Sequence, residues 1–297
     1  MRMPPMGIVG MFAVIGIVVL LVMVFGGYLI SGGSMAVMMH AVPLEMMIIG
    51  GAALGATISG NSASELKALG GGMAKVFKGP RYAKQDYLDL IFLVAKLMKM
   101  MRSDGPIALE PHIEDPASSA VFAEYPKLLA DSTLIHLICD TLRLVVVSSS
   151  NLDPHAVEEV VDNSLKTHHH DALKPADTLQ TLADALPALG IVAAVLGVVK
   201  TMASIDAPPE VLGEMIGSAL VGTFLGVLLA YGFVGPFANR LRQVIEGDAA
   251  IYQVAKQIIV ASLHGHPLPL VIEAARSGIT HANQPAFAEV FDGMRGK

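Results

Sequence analysis

The sequence predicts an all-α polytopic membrane protein with four transmembrane helices and a large helical cytoplasmic domain. Three observations point there. Hydrophobic residues fill 53% of 297 positions, at a mean hydropathy of +0.59. Long uncharged apolar runs fall in two pairs, one near each end of the chain. Elsewhere the apolar residues recur at helical spacing, with no strand-like alternation. In order, residues 1–60 carry helices 1 and 2, 61–183 a cytoplasmic helical domain, 184–238 helices 3 and 4, and 239–297 a cytoplasmic helical tail.

Gly7 to Ile30 is uncharged, too long for a signal-peptide core, and followed by a second apolar run, so it is expected to be retained as a span. The second span is expected from Leu44 to about Gly60, starting just after Pro43 with Glu45 at its edge. In the third, Leu186 to Val199 reads LPALGIVAAVLGVV between Asp184 and Lys200, whose long side chain can reach the interface. The fourth, Met215 to Asn239, has 25 residues without a formal charge. At 1.5 Å per residue that crosses a hydrocarbon core roughly 30 Å thick.

Lysine and arginine set the orientation. Ser31–Pro43 and Ile205–Leu212 contain neither, whereas Arg2, Lys67, Lys75, Lys78, Arg81, Lys84, Arg240 and Arg242 lie on the other side. Both termini and the middle region are therefore expected in the cytoplasm. That region predicts a helix with Tyr87, Leu90, Ile91, Val94 and Met98 on one face, and another near Ala130 to Ser148. Asn151-Leu152-Asp153-Pro154 predicts a turn and cap before a helix from Ala156 to Thr167. Ile251, Val254, Ala255, Ile258 and Ile259 give the tail a packing face.

Several chemistries find no support. Gly70-Gly71-Gly72 lacks the phosphate-loop pattern, and no serine, histidine and carboxylate set has hydrolase spacing, so an enzyme is not expected. His168-His169-His170 diverge by roughly 100° per position on a helix, which disfavours a shared metal. His264 and His266 flank Gly265 and are expected to be a loop feature. The net charge of −6 gives no reason to expect nucleic acid. Cys139, the only cysteine, excludes an intrachain disulfide and is expected to be a packing residue.

The most informative stretch is Asp184 to Pro236, where two apolar segments carry prolines and small residues but no mid-membrane carboxylate. This suits an ion path whose proton-carrying acid sits on another chain. Ser218, Gly222, Gly226 and Ala230 recur every four residues and form one close-packing face. Pro187 either starts the third helix or bends it, and Pro236, after Tyr231–Gly235, can terminate or redirect the fourth. Thr223 either satisfies a preceding carbonyl or lines a hydrated path with Ala194.

ALEPHIEDP at 108–116, FAEYPKLLADS at 122–132, LPALGIVAAVLGVVKTM at 186–202 and VGTFLGVLLAYGFVGPFANRLRQ at 221–243 resemble the MotA family of flagellar motor stator proteins. The resemblance implies ion flow coupled to torque and a MotB partner supplying the membrane aspartate, with a likeness to five copies around a MotB dimer. It also implies residence in the bacterial inner membrane. It matches Pro187 and Pro236 to the family's functional prolines, and Arg102 and Glu110 to its charged pair facing the rotor protein FliG. Met101-Arg102-Ser103-Asp104-Gly105 departs from the usual context of the first charge. Alanine at 194, where sodium-driven relatives place threonine, implies H+ as the transported ion and no cofactor. The related ExbB/TolQ proton-driven energy transducers are the alternative, which a three-span organisation would favour.

Overall fold

The computed structural model describes residues 8–148 and 152–295. Arg2, Gly7 and Asn151, used above for orientation, the first span and a turn, lie outside them. Every regular element among the described residues is helical: α1 (Ile8–Ile30), α2 (Met35–Gly60), α3 (Ala63–Lys78) and α4 (Lys84–Asp104). A 3₁₀ turn (Pro106–Leu109) leads into three short helices, α5 (Glu110–Glu114), α6 (Ala120–Ala123) and α7 (Pro126–Leu129). Then come α8 (Ser132–Val147), α9 (Pro154–Met202), α10 (Pro209–Leu228), a π-helical segment (Leu229–Val234), α11 (Gly235–Leu263), α12 (Leu268–Ser277) and α13 (Phe287–Arg295). Among the described residues, four helices are long and apolar enough to cross a membrane: the first two, α9, and the continuous Pro209–Leu263 stretch.

Three boundaries differ from expectation. The second span starts at Met35 and runs through Pro43. Proline there removes only its own amide, while Ala41, Glu45, Ile49 and Ala53, four residues apart, bury one continuous face that carries the helix past it. The helices expected at 156–167 and 186–199 are one helix, α9, with Pro175 and Pro187 inside it. The intervening sequence lacks glycine and carries four alanines and three leucines, so proline is the main opposition to the helix. Pro187 is thus interior, and the carbonyl of Ala183 four residues earlier has no helix amide to accept from. Pro236 likewise fails to end its helix. The turn before it widens instead, with the Gly235 N–H donating to the Ala230 carbonyl five residues back. Such a bulge relieves the clash between a proline ring and the preceding turn.

The chain divides into two compact units, Met1–Gly79 with Ala172–Val244, and Pro80–Asp171 with Ile245–Lys297. In the first, α3 opens with a capping box in which Ser62 and Glu65 satisfy each other's amides, and it closes at Gly79, whose φ is 78°. In the second, Leu90, Ile91, Leu97, Phe122, Leu134, Ile138, Ile258 and Ile272 form a fully buried core. Cys139 packs into it, and burial pushes its thiol up to about 12. Asp131 caps α8, accepting from the amides of Thr133 and Leu134 at 3.0 and 3.2 Å.

Candidate functional site: a glycine seam, a buried carboxylate and two exposed charges

The third and fourth spans meet through their smallest residues. A β-carbon placed on Gly190 would lie 2.8 Å from the Gly222 carbonyl oxygen and 3.0 Å from the Gly226 Cα. One on Gly226 would lie 2.7 Å from the Leu186 carbonyl oxygen and 2.8 Å from the Gly190 Cα. One on Gly197 would lie 2.6 Å from the Ala219 Cβ. Backbone touches backbone, so no rotamer change can make room. In lipid, where apolar burial against another helix gains little over the acyl chains, this close dispersion contact is what holds helices together. Of the four-residue ridge, Gly222, Gly226 and Ala230 are buried and Ser218 is half-buried.

Ser218 opens on a cavity of about 290 Å³, lined also by Glu45, Ala193, Gly197, Lys200 and Thr201. Glu45 is only 6% exposed, and its Oε2 has no hydrogen-bond partner. A β-carbon on Gly222 would sit 2.6 Å from that oxygen. The expectation that Glu45 marks the edge of the second span is therefore corrected. It lies ten residues into α2, because the helix begins at Met35 instead of after Pro43. The lack of a carboxylate holds for the third and fourth spans but not for the second.

Neither Ala194 nor Thr223 lines that cavity. Ala194 meets α10 through its backbone, with its nitrogen 3.2 Å from a β-carbon position on Gly222, and Thr223 is half-buried one residue further on. The prolines act on neighbouring turns. Ala183, whose carbonyl lost its partner to Pro187, has its Cβ 4.0 Å from a β-carbon position on Gly235, the residue before Pro236. Two weakened helix segments therefore lie side by side within the first unit.

In the second unit, Arg102 and Glu110 are both exposed, at the end of α4 and the start of α5. Glu110 stands in the first turn of its helix, where a negative charge is favoured. Arg102 is not merely solvated. Its Nη2 donates to the carbonyls of Ser262 at 3.2 Å and His266 at 2.6 Å, capping the C-terminus of α11.

The motility protein A N-terminal model matches residues 14–105, and the MotA/TolQ/ExbB proton channel model matches 130–253. Motility protein A of Salmonella typhimurium is 39% identical over 285 residues, covering 96% of this chain and 95% of that one. The Escherichia coli protein of the same name matches to the same extent, and chemotaxis protein LafT of Vibrio parahaemolyticus is 34% identical over 93% of this chain and 95% of its own. The chain belongs to the motility protein A family. Among solved structures the fold is similar to C. jejuni MotAB, with a TM-score of 0.70 and 17% identity over 91% of this chain and 95% of that one. It is also similar to the flagellar MotAB stator complex from Bacillus subtilis, with a TM-score of 0.67 and 21% identity over 88% and 92%.

The chain is thus a multi-pass membrane protein and a subunit of the flagellar motor stator. Four candidate spans, together with a match to the motility-specific N-terminal model, set it apart from the ExbB/TolQ alternative. Glu45 is the site residue that was missed as buried. The signal for it lay in Met35–Leu44, an apolar stretch with no charge that Pro43 alone made look like a loop.

Proposed function

We propose that this chain forms the ion path and the rotor-contacting part of a proton-driven stator in the bacterial inner membrane, with both termini cytoplasmic. In this reading five copies surround a dimer of a MotB-type chain, whose membrane aspartate carries H+ past the seam near Ala194 and Thr223. Titration of that acid repacks the spans at Pro187 and Pro236, and the second unit presents Arg102 and Glu110 to the rotor protein FliG. The structures of MotAB complexes with this fold, and the positive residues that follow the second and fourth spans, support this arrangement. The available drive is large enough, since one charge crossing 100 mV releases about 2.3 kcal/mol.

The observation that carries the proposal is the seam itself. Its backbones touch, it offers no side-chain oxygen ligand from residue 194, and its two uncharged stretches, Leu186–Val199 and Met215–Asn239, hold no carboxylate. A compact sodium site needs several oxygen ligands, whereas a protonatable acid does not. Tethered-cell rotation should therefore stop when the proton gradient is collapsed with a sodium gradient maintained. Rotation persisting on sodium alone would refute the ion assignment.

Glu45 extends the path to this chain's own carboxylate. An unpartnered buried polar group costs stability and persists where function needs it. Glu45→Gln should therefore raise the thermal midpoint of the purified complex, by about 1 kcal/mol of stability, and slow rotation. A variant both less stable and fully active would contradict this assignment. Charge reversal at Glu110, which has no structural bond to lose comparable to those of Arg102, gives the cleaner test of rotor contact. Glu110→Lys should reduce torque with expression and membrane insertion unchanged, and normal torque would count against the rotor role.

A further inference from the structure

The second unit holds a cluster that the stator function does not use. His155 and Glu158 stand three residues apart in the first turns of α9, and His264 follows the last residue of α11. One ligand atom from each lies within 4.8 Å of the others. The two imidazole rings are 4.6 Å apart at 64°, and His264 Nε2 is 3.8 Å from Glu158 Oε2. Sequence spacing set His264 aside as a loop residue, because its neighbours in the cluster come from more than a hundred positions earlier.

The surroundings hold these groups in place. Gly265, with φ 79°, completes a Schellman end to α11 in which the N–H of Gly265 donates to Ser262 and that of His266 to Ala261. Arg102 fastens the same turn through the His266 carbonyl. Glu158 divides its two oxygens: Oε1 takes Lys256 at 3.3 Å and leaves Oε2 toward His264. Lys256 is itself offset by Asp162 at 2.7 Å, so its charge does not stand alone against an incoming cation. A carboxylate oriented by an outer partner is how metal-binding carboxylates are commonly supported.

We propose that His155, Glu158 and His264 bind a borderline divalent transition metal, Zn²⁺ by preference. Two imidazoles and one carboxylate form a familiar three-ligand zinc set, with water completing the tetrahedron, and imidazole disfavours Mg²⁺ and Ca²⁺. Zinc bonds of about 2.0–2.2 Å place tetrahedral ligand atoms roughly 3.4 Å apart. Closing the cluster to that spacing needs only side-chain rotation, which exposed His155 can make. The bound ion clips the start of α9 to the end of α11, beside the turn that Arg102 caps.

Equilibrium dialysis of the detergent-purified stator complex against Zn²⁺, with Mg²⁺ as control, tests this. Zinc should bind at one tight site per chain and raise the thermal midpoint, with Mg²⁺ doing neither. The double variant His155→Ala/His264→Ala should lose that site and the thermal shift. Glu158→Gln, which preserves shape, should weaken binding at least tenfold. A variant with alanine at 168, 169 and 170 should keep the site, separating it from the adjacent histidine run. Zinc binding by the double variant and by Glu158→Gln as tight as the parent's, or loss of the tight site in the 168–170 variant, would overturn the proposal.

Discussion

Gly226→Val should leave cells non-motile and prevent recovery of an assembled stator from membranes. Any β-carbon at 226 meets the Leu186 carbonyl oxygen at 2.7 Å and the Gly190 Cα at 2.8 Å, both backbone atoms. Overpacking a core with movable side chains costs about 1–3 kcal/mol, and here the only relief is to separate the third and fourth spans. Separation removes the close contact on which helix association in lipid depends. Gly226→Ala should fall between valine and the parent. Gly213→Ala is the matched control, since a β-carbon there meets nothing within 4 Å. Co-purification and swarm diameter measured for the three variants decide the matter. If Gly213→Ala and Gly226→Val behaved alike, the seam would not be what holds these spans.

The seam was legible because four-residue glycine and alanine spacing is a property of one helix, and Gly222, Gly226 and Ala230 announce it without reference to a partner. What they pack against was not, because Gly190 and Gly197 lie on a different helix and their seven-residue spacing has many uses. Proline misled in both directions. Pro43 suggested a helix start and Pro236 a helix end or a redirection, yet both helices continue, the second through a π-helical turn. The reason is tertiary: a proline costs about 3 kcal/mol in a helix interior, and a buried face such as Ala41–Ala53 or a π-helical turn can absorb that. Misplacing the start of the second span then hid Glu45, whose burial depends on the helix beginning at Met35. Arg102 shows the converse limit. Its exposure could be read from its neighbours, whereas its bonds to carbonyls 160 and 164 residues away could not.

Asp131→Ala should destabilise the second unit more than any other single polar change, and with it the unit that carries Arg102 and Glu110. The carboxylate caps α8, accepts from the buried hydroxyls of Tyr82 and Tyr252, the latter at 3.1 Å, and pairs with Arg81 at 3.2 Å. Loss of the cap costs about 1 kcal/mol and each hydroxyl left without its charged acceptor about 1 more; the half-exposed Arg81 pair adds little. The sum, about 3 kcal/mol, corresponds to a fall of roughly 10 °C in the thermal midpoint of the purified complex. Asp131→Asn keeps a cap acceptor and should lose less. A midpoint for Asp131→Ala indistinguishable from the parent would remove Asp131 from this role. Alkaline titration provides an independent check. Burial and the neighbouring Asp131 carboxylate hold both phenol protons well above the ordinary tyrosine range. Above about pH 10 the unfolded chain releases those protons while the folded one keeps them, so stability falls as pH rises. In Asp131→Ala the carboxylate's share of that effect is gone. Its alkaline loss should therefore be shallower than the parent's, although its stability at neutral pH is lower.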